Sequence, residues 1–374
     1  MTFTARRIAI IVAALVILLG GGYAGVVLLR GHVDDAIPQV DLFGPTPSAS
    51  TPGEPSASPS PPPGSDIKGP LNILIVGIDT RESIPGWIPH ADAVMILHID
   101  KTLSKAYMTS LPRDLVVPIP AFAPAKFGGN RATKLTHAMS YGARVPGSRR
   151  ANPAQGFQLV AKTVSNYTGI KQFDAGALLT FSGLIKLVNA LGGIDIYVDQ
   201  KVVSIHIAPT GKHRPSCGGC SHGYSGPQAV YNVGMMHFAG WQALDYSRQR
   251  YLPGGDYTRA RHQRQVVRAT IAKAISSNIL TDPARFESVL KALGSTLVFD
   301  GRGRKPTEFA YALRNVKPAE MTLVGLPGSG VYSGGSYRGE ALGSVQKSYF
   351  AAVRGDTVGA WAASHKNLVN STRI

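Results

Sequence analysis

Residues 8–29, IAIIVAALVILLGGGYAGVVLL, carry no charged side chain. An apolar run of this length matches the hydrocarbon core of a bilayer when it is helical. It fixes the compartment of everything after it, because Arg6 and Arg7 precede it in a short tail and positive flanks stay on the cytoplasmic side. Residues 1–7 are therefore expected in the cytoplasm and the chain after Leu29 outside. The run is longer than the core of a secretory signal and lacks a small-x-small cleavage site, so it reads as an uncleaved anchor.

Residues 30–69 follow as a Pro/Ser/Thr-rich stretch with almost nothing to bury, the composition of a disordered linker. At about 3.1 Å per residue in polyproline II geometry, its proline-rich part could reach roughly 100 Å from the membrane. The 374 residues carry a formal net charge of +17, which favours anionic partners: nucleic acid, lipid headgroups or an anionic wall polymer. The address outside the cell removes nucleic acid from that set. Only two cysteines are present, Cys217 and Cys220, in a CGGC loop. Without a βαβ redox context, and in an oxidising exterior, they read as a small loop disulfide. His213 and His222 flank them and leave a metal site as the alternative.

The folded part begins at Leu71. LNILIVGID, DAVMILHID and AYMTSLP read as buried strands, the last two joined as a hairpin through KTLSK. A helix is expected from Asn152–Gln155 to Gly169. A strand and helix follow in FDAGALLTFSGLIKLVNALGG, then the strand IDIYVD and a short helix in FAGWQALDYSRQR. Helical spacing of Val266, Val267, Ile271 and Ile275 predicts a helix over 259–278, and another is expected over 283–293. Interleaved strands and helices define an α/β class, an α-β-α sandwich with a central mixed sheet covered on both faces. The catalytic or binding domain is placed at 70–350, with its motifs in 71–265 and a terminal segment at 351–374.

Chemistry concentrates at strand ends, where open α/β sheets place their sites. GIDTR supplies Asp79 and Arg81, HADA supplies Asp92, and SLPRD supplies Arg113 and Asp114. Two carboxylates so placed suit a hard cation that also holds a substrate's phosphates, although aspartates are equally common as turn caps. Residues 245–265, DYSRQRYLPGGDYTRARHQRQ, add a basic cluster. Arg248 and Arg250 share a face if extended, and Arg259 and Gln263 share one on a helix. Planar guanidinium forks of this kind match phosphate oxygens. Arg261, Arg264 and Arg268 fall on other helix faces and read as solvated.

These motifs, in this order, resemble the LytR-CpsA-Psr family of wall glycopolymer transferases. The resemblance is carried by ILIVGIDTR, HADA, SLPRD, KLTHAMSYG, NALGGID, FAGWQALDYSRQR and DYTRARHQ. It implies a polyprenyl-pyrophosphate glycan as donor and peptidoglycan as acceptor, with the lipid tail in an apolar tunnel of the fold. Asp79 and Asp92 would bind Mg²⁺ or Mn²⁺. Arg113, Arg248, Arg259 and Gln263 would grip the pyrophosphate, with Arg81, Lys134 and Arg250 as further candidates and Asp92 or Asp114 as the base. His90, Thr136 and His262 stand where the family pattern has Arg, Asn and Arg, and are expected to remove donors beside the phosphates. A lipid-pyrophosphate hydrolase, a membrane-bound transcriptional attenuator and a non-catalytic wall-binding protein are the competing readings.

Overall fold

The computed structural model describes residues 40–44, 63–80, 84, 86–276, 296–317 and 320–370. Among them no helix is long and apolar enough to cross a membrane; the predicted anchor at 8–29 and the predicted helix at 283–293 lie outside the described residues.

β1 (Leu71–Asp79), β2 (His90–Ile99) and β3 (Ala106–Leu111) form an antiparallel meander, as their apolar runs predict. A small hairpin, β4 (Val116–Ile119) and β5 (Asn130–Lys134), leads into the short helix α1 (Thr136–Gly142). Helix α2 (Pro153–Thr168) starts at Asn152, whose side chain accepts the Gln155 N–H, and stops at Gly169. The parallel strand β6 (Ala175–Thr180) returns beside β1 and passes into α3 (Phe181–Ala190), where the Thr180 hydroxyl caps the helix by accepting the Gly183 N–H. β7 (Ile194–Val198) leaves the main sheet. It is followed by two short pairing strands, β8 (Val202–Val203) and β9 (Val230–Tyr231), and by its own partner β10 (Gly234–Phe238).

Helix α4 is Gly240–Arg248 and α5 is Gly255–Ser276, beginning a turn earlier than the apolar spacing suggests. The last part of the chain supplies β11 (Leu297–Asp300), α6 (Pro306–Ala312), β12 (Thr322–Val324), the hairpin β13 (Gly328–Ser333) and β14 (Ser336–Leu342), α7 (Val345–Arg354), α8 (Val358–Ser364) and β15 (Val369–Asn370). The main sheet among the described residues is seven-stranded and mixed, in the order β11-β6-β1-β2-β3-β12-β15. The tail thus contributes the strands outside β6 at one edge and outside β3 at the other.

Both faces of this sheet are covered. Ile73, Ile75, Met95 and Leu97 pack with Leu187 of α3, Ile271 of α5 and Phe309 of α6. Leu74, Val76, Val94 and Ile96 on the other face pack with Met139 of α1, Val160 of α2 and Phe350 of α7. Each such buried aliphatic side chain is worth about 1.5–3 kcal/mol relative to exposure, so the two faces fix the register of β1 and β2.

The stretch read as bare linker docks at two places among the described residues: near its end Ile67 packs against the core and Asp66 pairs with Arg304 at 2.6 Å, and upstream residues 42 and 43 are held. Leu42 is fully buried and its N–H donates to Asp300 Oδ2 at 2.7 Å, while Phe43 packs edge-on against Phe157 and beneath the Arg302 guanidinium.

Candidate functional site

Asp79 ends β1 and Asp92 lies near the start of β2, and an irregularity in the pairing brings them to one side. Gly77 pairs with Ala93 and Ile78 with Ala91, so Asp92 has no partner on β1 and is the extra residue of a β-bulge. Ala91 and Val94, three apart, both enter the α1–α2 face, whereas Ala93 packs on the opposite one. Regular alternation would have sent Asp92 to the α1–α2 face. The bulge turns it with Ala93 toward α5, the side on which alternation from Ile73 and Ile75 also sets Asp79.

A cavity of about 580 Å³ opens there. Its wall includes Asp79, His90, Asp92 and Arg113 together with Arg248, Arg250, Arg259 and Gln263, two groups that the sequence places more than a hundred residues apart. Arg113 binds Asp92 Oδ1 through NH1 and Asp114 Oδ1 through Nε at 3.0 Å. Gln263 donates to the Asp92 carbonyl at 3.1 Å. Arg259 is buried beside Asp256, an ion pair at 2.8 Å one helical turn apart. Burial lowers the Arg259 pKa, Asp256 partly opposing it. Arg248 is the last residue of α4, not part of an extended segment, yet it reaches the same cavity as Arg250. Its guanidinium lies 4.8 Å over the Phe181 ring, and it makes no ion pair among the described residues.

Phe181 and Ile185 of α3, Trp241 and Leu244 of α4, and Ile205 and Ile207 give the cavity an apolar wall next to these cations.

Asp114 and Lys134 do not line the cavity. Asp114 is only 2% exposed and accepts from Arg113, Lys134 (2.9 Å) and Arg250 (3.1 Å). Burial alone would raise its pKa, but the Lys134 hydrogen bond and the Arg113 and Arg250 charges outweigh it and hold the carboxyl below its usual range. A carboxylate so stabilised is a poor proton acceptor and a good anchor for three cations. It takes a tail contribution as well: Tyr337 lies beneath Lys134, and the Glu340 N–H donates to the Asp114 carbonyl at 2.7 Å. Gly339 is required there, since a Cβ would stand 2.3 Å from that same carbonyl oxygen. None of this was legible in the motifs. Arg81 lies outside the described residues.

Two of the three departures from the family pattern fall away from the cavity. His262 is fully buried, stacked on Tyr246 at 4.1 Å and 3.4 Å from Asp199, and unlike its neighbour Gln263 it does not line the cavity. Thr136 is buried at the start of α1, where its N–H donates to the Arg113 carbonyl. Only His90 stands on the cavity wall. Nor are the other α5 arginines all solvated. Arg264 and Arg268 are each 3% exposed; burial and the like charge of Arg261 push Arg264 down to about 10, and burial lowers Arg268. Arg261 is half-buried, paired with Asp199 at 2.7 Å.

Cys217 and Cys220 form the expected disulfide. Among the described residues no group of three or more His, Cys, Asp or Glu could hold a metal by itself, so the metal alternative at His213 and His222 finds no support. Asp79 and Asp92 do fit a divalent cation of a particular kind. Two carboxylates turned into one cavity beside arginines supply part of a coordination shell and leave the rest to phosphate oxygens and water.

A model described as the LytR_cpsA_psr family matches residues 48–349. The chain belongs to the LytR-CpsA-Psr family. Among members of this family, the polyisoprenyl-teichoic acid–peptidoglycan teichoic acid transferase TagU of Enterococcus faecalis is 26% identical over 71% of this chain and 74% of its own length. The cell wall biosynthesis protein LcpA of Corynebacterium glutamicum is 24% identical over 79% of this chain and 57% of its own. The crystal structure of TagV from B. subtilis superposes with a TM-score of 0.55 at 20% identity, covering 78% of this chain and 98% of TagV. That likeness extends the LytR-CpsA-Psr fold to the described α/β sandwich, including its mixed sheet.

Proposed function

We propose that this protein is a phosphotransferase that moves a glycopolymer from a polyprenyl-pyrophosphate carrier to peptidoglycan, leaving a phosphodiester link, on the outer side of a membrane that its N-terminal segment spans. The observation that carries the reading is the convergence of Arg113, Arg248, Arg250, Arg259 and Gln263 with two carboxylates on one cavity that also has an apolar wall. Converging guanidinium forks neutralise a pyrophosphate, and the wall of Phe181, Ile185, Trp241 and Leu244 suits the start of a lipid tail. The names of the E. faecalis and C. glutamicum relatives point the same way.

In this reading the acceptor hydroxyl oxygen bonds to the glycan-side phosphorus. The bond from that phosphorus to the bridging oxygen breaks, and polyprenyl phosphate leaves with the electron pair. Such a transfer needs positioning and charge neutralisation more than covalent help from the protein. Arg248, with no acid paired to it among the described residues, is the donor most available to the leaving phosphate. Of the two carboxylates considered as base, Asp92 faces the cavity and takes the hydroxyl proton on Oδ2, the oxygen that Arg113 does not hold, while Asp114 holds Arg113 and Arg250 in place. Asp79 and Asp92 would hold Mg²⁺ (or Mn²⁺), which supplies further neutralisation of phosphate charge when bound.

The test is a product assay on full-length protein with a lipid-pyrophosphate glycan, with and without peptidoglycan. Transfer is expected only with the acceptor present, and a phosphorylated glycan released equally without it would make the protein a hydrolase.

A further inference from the structure

Val198 and Gly234 pair directly in the β7–β10 ladder, yet residues 199–233 intervene. Hairpin connections usually take two to five residues, and much longer ones are commonly functional. This excursion is built rather than slack. Its feet pair as β8 and β9, and the buried Asp245 of α4 binds them both, accepting from Ser204 at 2.9 Å and from the Tyr231 hydroxyl at 2.8 Å. The Arg214 side chain, itself 9% exposed, ties the interior by donating to the carbonyls of Ile205, Tyr224 and Gly226. The disulfide closes the tip, and Gly211, at φ +78°, lies against the Trp241 ring, where a Cβ would come within 3.1 Å. Because Asp245 and Arg248 share α4, the excursion is positioned relative to the phosphate-binding arginines.

What it turns into the cavity is a row of rings. His206 stacks on Tyr224 at 5.1 Å, and His222 packs on Tyr251 at 4.3 Å. Tyr251, with His222 against its ring, is still 72% exposed at the cavity mouth, a costly place for so much aromatic surface. Burial lowers the His206 pKa, and the Arg248 charge adds to this, so the ring is disfavoured as a cation. Flat apolar faces with polar tips suit a ligand that alternates C–H faces and hydroxyls.

We infer that the 199–233 excursion, with Tyr251, is the sugar-binding wall of the cavity and holds the donor's first sugar ring between the clamp and solvent. The inference rests on the transferase reading above. The donor sugar is favoured over the acceptor because the rings adjoin the clamp itself: Tyr251 follows Arg250 directly, and Arg248 acts on His206. The sugar one bond from the pyrophosphate falls there, whereas an acceptor attacking in line must approach opposite the bridging oxygen.

The test measures binding to full-length protein in detergent, for wild type, Tyr251→Ala, Tyr251→Phe and His222→Ala. Three probes are used: polyprenyl pyrophosphate without sugar, the same lipid carrying one N-acetylglucosamine, and a lipid-free peptidoglycan disaccharide. Wild type is expected to bind the glycosylated lipid more tightly than the bare one. Tyr251→Ala and His222→Ala should each weaken only the glycosylated lipid, by about tenfold, with Tyr251→Phe close to wild type. Equal losses on both lipids, no loss on either, or a loss confined to the disaccharide would each overturn the inference. Failure of wild type to bind even the bare lipid would overturn the transferase reading and this inference with it, a result separable from the others.

Discussion

Of the four arginines on the cavity wall, Arg248 is the one with no ion pair to a described acid, and its guanidinium lies over the Phe181 ring. Charge-assisted hydrogen bonds contribute roughly 1.5–3 kcal/mol, so Arg248→Ala should weaken polyprenyl-pyrophosphate binding by about 10- to 100-fold by calorimetry, and Arg248→Lys should restore only part of it for lack of a planar fork. Asp114 has the opposite character: three cations depend on it. Asp114→Ala should cost about 1.5–3 kcal/mol of stability, read as a fall in unfolding midpoint, because it removes the buried carboxylate that three partly exposed cations share and leaves their like charges together. His262 acts through pH. Its folded pKa is lowered from 6.5 by burial, which outweighs the raising effect of Asp199. Below about pH 6.5 the unfolded chain takes a proton that the folded chain refuses, so stability should fall as pH drops and level off below the folded value. The His262→Phe variant, which keeps the stack on Tyr246, should show a shallower loss between pH 7 and 5 in thermal melts. At this scale the sequence marked most of the charged cavity residues, since short motifs carry their own residue types. It could not show which side of α5 His262 takes, nor that Asp114 is enclosed, because both depend on partners from other parts of the chain.

The elements that needed no partner to be recognised were those with strong local signals. β1, β2 and α2 are bounded by apolar runs, Asn152 and Gly169, and they stand where those signals put them. The β-bulge at Asp92 left no trace in HADA, yet it decides that two carboxylates share a cavity. The tail was equally opaque, its strands β11, β12 and β15 being four residues long or shorter and polar at their ends. β11 pairs with β6, β12 with β3 and β15 with β12, and β14 backs Asp114. A chain ended at residue 295 should therefore fail to fold, with unpaired sheet edges and aggregation on size-exclusion chromatography; a monomeric species with a native circular dichroism spectrum would show that the tail is dispensable.

For the whole molecule, the proposed function expects a domain held near a membrane surface and facing anionic lipid and wall components, with which the +17 charge and the apolar run at 8–29 agree. A reporter enzyme active only outside the cell, fused after Ile374, is expected to be active; activity only from a cytoplasmic reporter would reverse the topology. The central claim is that the cavity is a pyrophosphate clamp with a place for a lipid beside it. A crystal structure with bound polyprenyl pyrophosphate tests it most directly. The phosphates are expected within hydrogen-bonding distance of Arg113, Arg248, Arg259 and Gln263, with the first isoprene units against Phe181, Ile185 and Trp241. Phosphates held elsewhere, for example in the basic groove of Arg144, Arg149 and Arg150, with this cavity empty, would contradict it.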